Sequence, residues 1–227
     1  SLDEQIEKEL SHLTQYQNAA LAQRYHKRLS QFSRIEKEQT NKTHISRAIA
    51  ENYSKVLAYK DEYEVARQLT SETFRHQLEE QFEGDFELEF NLAPPLIARK
   101  DKHTGRPRKR VFSQKIMPMF RLLARMKSLR GTPMDIFAWS EDRRLEKQII
   151  RDYETDINLI EKTMNNSNDR NFNYSAAQQL AEIPGMIRGY GPVKEENYLK
   201  AKAKRQALHA ELQTEKSSNV DRISAQA

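Results

Sequence analysis

The sequence predicts a mainly α fold: a helical domain with a long N-terminal helix and one small β-hairpin carrying a basic loop. Three observations predict it. Apolar residues recur every three or four positions through most of the 227 residues, only 6 Gly and 7 Pro punctuate the chain, and charged residues make up 31% against 37% hydrophobic. The first is the period of helices that bury one stripe. The second leaves too few turns for a sandwich or barrel. The third is polar for a globular protein, yet outside the disordered range.

Taken in order, Leu2, Ile6, Leu10, Leu13, Gln17, Leu21, Tyr25, Leu29, Phe32 and Ile35 form one stripe, with no Gly or Pro before Asn41. This predicts a single helix over 1–40, whose narrow stripe must pack on something outside itself. An isolated chain is expected to self-associate or to fit that helix onto its own core. A second helix is predicted from Ile45 through Tyr53, Leu57 and Tyr63 to Ala66, and Ser71 caps a shorter one carrying Phe74, Leu78 and Phe82, with Gly84 to end it. Phe86, Leu88, Phe90 and Leu92 then alternate with polar residues, the pattern of a half-buried strand. Pro94 and Pro95 stop it, and 97–111 reads as the return of a hairpin near 86–112 turning at 101–105.

Helix resumes at Ser113, with Ile116, Met119, Phe120, Leu123, Met126 and Leu129 inward and Gly131 as the stop. The apolar loop 132–139 is expected to fold back over the core. Ser140 caps a helix through Leu145, Ile149, Tyr153, Ile157 and Ile160, and 165–173 is a polar connection. A short helix over 176–183 ends at Pro184-Gly185, and Gly189-Tyr190-Gly191-Pro192 turns into a last helix reaching about Leu212. The expected division is 1–40, 41–213 and a disordered tail over 214–227.

Composition excludes several chemistries. With no cysteine there is no disulfide, thiolate zinc site, cysteine nucleophile or cluster ligation by this chain. No run approaches the ~20 apolar residues of a membrane span, and no basic end precedes an apolar segment, so neither membrane nor secretion is expected and the cytoplasm is the default. The opening Ser1 fits an excised or processed piece. The six histidines (His12, His26, His44, His76, His103 and His209) include no pair at metal-ligand spacing. Lys+Arg 38 against Asp+Glu 33 leaves +5, too mild to predict nucleic-acid binding by itself.

Local constellations say more. Arg99, Lys100, Lys102, Arg106, Arg108, Lys109 and Arg110 face only Asp101, a density that could dock phosphates or an acidic protein surface. An edge strand protected by its Lys and Arg explains the same run. Nucleic acid is disfavoured, because no aromatic residues interleave for base stacking. Gly189-x-Gly191 with Arg188 and Lys194 superficially resembles a phosphate turn, but Pro192 removes a donor and no strand precedes it, so a helix entry is the better reading. In Lys60-Asp61-Glu62-Tyr63-Glu64, Lys60 and Glu64 stand one helical turn apart as a surface pair, while Asp61 and Glu62 diverge and make no acid–base pair. Nothing nominates a catalytic residue or a metal ligand.

Several blocks stand in a familiar order: Ala58-Tyr-Lys-Asp-Glu-Tyr-Glu-Val-Ala-Arg67, Phe82-Glu-Gly-Asp85, Leu92-Ala-Pro-Pro-Leu96, Thr104-Gly-Arg-Pro-Arg-Lys-Arg110, Phe120-Arg-Leu-Leu-Ala-Arg125 with Leu129-Arg-Gly-Thr132, and Ile187-Arg-Gly-Tyr-Gly-Pro-Val-Lys194. Together they resemble the C-terminal region of the fused indolepyruvate ferredoxin oxidoreductases, within the 2-oxoacid:ferredoxin oxidoreductase family. Leu13-Thr-Gln-Tyr-Gln-Asn-Ala-Ala20 resembles the helix by which the preceding gamma-type catalytic domain enters this region. Pro192 departs from the pattern, which has histidine there. The resemblance implies a parent enzyme that decarboxylates arylpyruvates with thiamine diphosphate, Mg and iron–sulfur clusters, passing the acyl group to coenzyme A and electrons to ferredoxin. This chain holds neither cluster cysteines nor a diphosphate motif, so it is expected to carry no cofactor and to act as an accessory. Tyr59, Lys60, Asp61, Glu62, Tyr63, Glu64, Arg67, Arg188, Gly189, Gly191 and Lys194 are its candidate packing residues. The implied partners are the upstream catalytic domains, ferredoxin and a second copy in a homo-oligomer. An independent nucleic-acid- or protein-binding module using the basic hairpin is the alternative.

Overall fold

In a computed structural model, residues 1–84, 86–92, 108–166 and 172–224 are described, with side chains to 213. The fold is mainly α. Among the described residues the chain forms α1 (Leu2–Tyr16), α2 (Ala19–Thr40), α3 (His44–Leu57), α4 (Glu62–Leu69), α5 (Glu72–Gln81), α6 (Met117–Arg125), α7 (Glu141–Asn166), α8 (Tyr174–Glu182) and α9 (Pro192–Ser224). The strands β1 (Glu89–Leu92) and β2 (Arg110–Ser113) pair antiparallel, Phe90 opposite Phe112. The chain divides into two compact units, one of Ser1–Ala58 with Leu145–Ala227, the other Tyr59–Arg144.

The first unit builds its core from the helical stripes. Leu13, Tyr25, Leu29, Phe32, Ile45, Ile49, Ile157, Ile160 and Leu180 are fully buried, and each such side chain contributes roughly 1.5–3 kcal/mol over its exposed state. The helix expected over 1–40 is two helices. Tyr16, rather than Gln17, takes the inward place, and the Asn18 side chain accepts from the Leu21 amide at 3.0 Å to start α2. The break lets α1 and α2 pack on each other and on α3. The stripe thus has its partner within the chain, and residues 1–40 share one core with α3 and α7–α9 instead of forming a separate domain.

A buried carboxylate completes α3. Its N-cap, Thr43, makes no side-chain bond to the helix. Glu36 of α2 accepts instead from the Ile45 and Ser46 amides, at 3.0 and 2.8 Å, and from the Tyr174 hydroxyl. Two orphan donors of a helix start are satisfied from another helix.

Other boundaries differ from the sequence reading for local reasons. The helix expected from Ile45 to Ala66 is interrupted after Leu57, because Asp61 caps a new helix by accepting from the Glu64 amide at 2.8 Å. The first strand begins at Glu89, leaving Phe86 outside it against Phe82. Met119 is exposed, since Phe120 takes the inward position of α6. Helix α9 runs to Ser224, where a disordered tail was expected from 214; that stretch contains no Gly or Pro to stop a helix. The second unit has a far smaller apolar core, in which Phe120 meets Phe90 edge-on at 5.3 Å beside Ala66.

Candidate functional site

The 59–67 block proves to be the hub of the second unit. Capping draws the Asp61 carboxylate to the start of α4, and the fold brings two arginines onto it. Arg130 donates through Nε and Nη2 at 2.6 and 2.9 Å, the bidentate geometry of a planar fork on a carboxylate. Arg143 donates to the same Asp61 and, through its other arm, to Glu62 at 3.0 Å. Asp61, Arg130 and Arg143 are all buried. Both guanidinium groups also lie over rings, Arg130 over Tyr63 at 5.5 Å and Arg143 over Tyr59 at 5.0 Å.

The expected surface pair of Lys60 and Glu64 is corrected here. Lys60 precedes α4, whereas Glu64 is buried and accepts from Arg67 at 2.8 and 2.7 Å and from Gln68 at 2.8 Å. Asp61 and Glu62, expected to diverge, both accept from Arg143. Burial pushes the Asp61 carboxyl up, but the two arginines outweigh it and hold it below its usual range. Burial dominates at Glu62 and raises it despite Arg143. Burial and the facing Asp135 push Tyr63 up to about 12. Lys127 is lowered by burial and by the nearby Arg67 and Arg130. The arrangement can lock the start of α4 to the distant Arg130 and to Arg143 in the first turn of α7. Asp61, Glu62 and Glu64 are each engaged by arginine.

Sequence reasoning missed Arg130, Arg143 and Asp135 as members of this site. Asp135 is buried, accepting from the Tyr63 hydroxyl at 3.1 Å and from the Gly131 and Phe137 amides at 3.0 and 3.1 Å. One signal was available: Asp135 is the single charge among residues 131–140, an otherwise apolar and neutral stretch. Arg130 sat inside a quoted block, and Arg143 carried no local signal.

Of the basic hairpin, Arg99, Lys100, Lys102 and Arg106 lie outside the described residues, as do Asp85, the prolines at 94–95 and most of the 165–173 connection. Arg108, Lys109 and Arg110 are exposed at the entry to β2.

In the first unit, the 188–194 turn builds the start of α9. Gly189 has φ +103, and a Cβ there would stand 2.8 Å from Val193 Cγ1, so only glycine fits. The Arg188 carbonyl accepts from Asn197 at 2.8 Å, and the Arg188 side chain donates to the Gly185 carbonyl at 2.9 Å. Gly191 takes φ +53 before Pro192 opens the helix, and Lys194 pairs with Glu146 at 2.5 Å. The turn is a helix entry.

Among the described residues no helix is long and apolar enough to cross a membrane, and no three His, Asp or Glu side chains converge as metal ligands do. The model of DUF6537, a family of unknown function, matches residues 2–207, and the chain belongs to that family. No curated protein and no solved structure matches it.

Proposed function

We propose that this DUF6537 chain is the non-catalytic C-terminal accessory and assembly region of a cytoplasmic 2-oxoacid:ferredoxin oxidoreductase of the indolepyruvate type. The full-length enzyme would oxidatively decarboxylate arylpyruvates to acyl-coenzyme A and reduce ferredoxin. One observation carries the reading. Blocks of the resemblance that are distant in sequence interlock: Asp61 of 58–67 is gripped by Arg130 of 129–132, and Phe120 of 120–125 packs beside Ala66 of 58–67. Within these blocks Asp61, Ala66, Phe120 and Arg130 serve architecture, as an accessory region requires. With no cysteine in the chain, clusters would belong to upstream domains, and thiamine diphosphate with its Mg is assigned there too. The exposed Arg108, Lys109 and Arg110 would meet an anionic partner, either ferredoxin or the phosphates of coenzyme A.

The test is arylpyruvate-dependent, coenzyme A-dependent reduction of ferredoxin by the full-length polypeptide, beside its Arg106→Glu, Arg108→Glu, Arg110→Glu triple variant. Turnover is expected, and the variant should raise the apparent KM for ferredoxin or coenzyme A, more strongly at low salt. A full-length polypeptide that turns over no oxoacid overturns the parentage. Unchanged constants for both partners discard the docking role alone.

A further inference from the structure

A cleft of about 410 Å³ opens in the first unit between α3, α8 and the start of α1. Its α3 wall is the stripe His44, Arg47, Ala48 and Glu51, spaced so that all four share one helix face. Only Ala48 is apolar. Asn52 stands one turn beyond Ala48 and is only 7% exposed. Its Nδ2 donates to the Ala48 carbonyl at 2.9 Å, which fixes Oδ1 as the other arm, and that oxygen takes no hydrogen bond from any described residue. An acceptor on a buried side chain left without a partner is an exception that asks for a cause. Here Oδ1 opens into the cleft, where a ligand can supply the missing donor.

The charges divide along the cleft. The Tyr174 hydroxyl, at the start of α8, accepts from the His44 amide at 3.2 Å. A Cβ on Gly185, past the end of α8, would stand 3.9 Å from Asn52 Oδ1. The two helices therefore run side by side in one direction, which sets Glu182 level with Asn52 and Gln178 one turn back toward Arg47. At the His44 end, the Arg47 guanidinium and the His44 ring make no hydrogen bond or ion pair with any described residue. At the other end Glu51 is paired with Lys55 at 2.5 Å, while Glu182 accepts from Gln178 through Oε1 at 3.0 Å and keeps Oε2 open. One end thus presents donors that lack an acceptor, and the other presents Asn52 Oδ1 and Glu182, which lack a donor.

We propose that the cleft binds a small zwitterion, a free amino acid with a short or polar side chain, its carboxylate on Arg47 and its ammonium between Asn52 Oδ1 and Glu182. A guanidinium fork matches a carboxylate. The rise from Arg47 to Asn52 is roughly 7.5 Å at ~1.5 Å per residue, close to two hydrogen bonds of about 2.9 Å with the two charged groups of one amino acid between them. With Ala48 as the one apolar lining residue, the walls select against a large apolar side chain. The site does not rest on the parentage proposed above.

Titration of the full chain followed by amide NMR tests the site, with glycine, L-serine and L-glutamine as probes and acetate and methylammonium as single-charge controls. At least one probe should shift the amide signals of 47–52 and 178–182 saturably. Each control engages one end only and should bind roughly 10-fold more weakly or worse. Arg47→Ala should weaken the zwitterion by roughly 10-fold and abolish the acetate response, whereas Glu182→Gln should weaken it by a similar factor, acting on methylammonium and sparing acetate. Both positions are exposed, so both variants should keep the parent's helical circular dichroism. No shift of these signals with any probe up to tens of millimolar overturns the proposal. So does a control that binds as tightly as the zwitterions, which would mark a patch for simple ions, or full affinity kept by either variant.

Discussion

The two units solve the same problem with different physics. The first sequesters aliphatic and aromatic side chains in quantity: Leu29, Phe32, Ile49, Ile157 and Leu180 are among those with no exposure at all. Among the described residues of the second, Ala66, Phe90 and Phe120 form the buried apolar cluster. This unit adds a second interior made of charge, with Asp61 between Arg130 and Arg143 and rings of Tyr59 and Tyr63 beneath them. Apolar burial is non-directional and tolerates small losses. A buried ion cluster is directional, and removing one member strands the others. The units should therefore fail differently, and hydrogen exchange read separately over α4 and over α3 distinguishes them.

The largest effect is expected at Asp61. Asp61→Asn keeps the cap on α4, because Asn serves that position as well as Asp, but leaves two buried guanidinium groups without their shared anion. We expect about 3–5 kcal/mol of destabilisation, the usual cost of breaking a buried pair. It should appear as accelerated exchange across α4 and the 130–140 loop, with α3 protected as before. Acid should do the same to the parent chain. Asp61 titrates below its unfolded value, so its contribution is complete above the unfolded pKa of about 3.9 and is lost as pH falls through the lower folded one. An α4 that keeps its protection in the variant would show that the small apolar cluster alone carries the second unit.

Next in size is a cavity in the first unit. Ile157 of α7 is fully buried in the main core, and Ile157→Ala should cost about 2–5 kcal/mol by urea denaturation. The loss should be independent of pH across the acid range that disturbs α4, because the substitution removes no titratable group. A pH-dependent loss would erase the distinction between the units.

Legibility in the sequence followed the same division. The stripes that fill the first core were readable, because Leu13, Tyr25, Leu29 and Phe32 repeat with the helical period. The break at Gln17 and Asn18 was not. It contains no Gly or Pro, and the apolar spacing runs on across it into Leu21, so periodicity continued where the backbone did not. The hairpin was legible from alternation, although Phe86 and Leu88 precede the paired residues Glu89–Leu92. The ion cluster was nearly invisible. Asp61 followed by Glu64 carries the signature of a helix start, but Arg130 and Arg143 lie 69 and 82 residues away. No local pattern specifies which of many arginines a buried carboxylate will meet. Charge on a helix ordinarily means a solvated face, and that prior placed Glu64 outside when the fold puts it inside.

The smallest effect is the sharpest probe of how the charged interior is organised. Glu62 sits next to Asp61 and shares Arg143 with it, yet burial raises its carboxyl whereas the arginines lower that of Asp61. A raised folded pKa means that the ionised form opposes folding: stability falls as pH rises through the window between the unfolded value of about 4.3 and the raised folded one. Glu62→Gln removes that penalty and still offers Arg143 an oxygen. The gain and the lost charge contact nearly cancel, so the change at neutral pH should be under about 1 kcal/mol. Its signature is instead that the slope of α4 stability across that window disappears, measured by hydrogen exchange at a series of pH values. A loss as large as that of Asp61→Asn would mean that both carboxylates hold Arg143 equally, and that the cluster is a four-membered unit instead of one anion clamped by two cations.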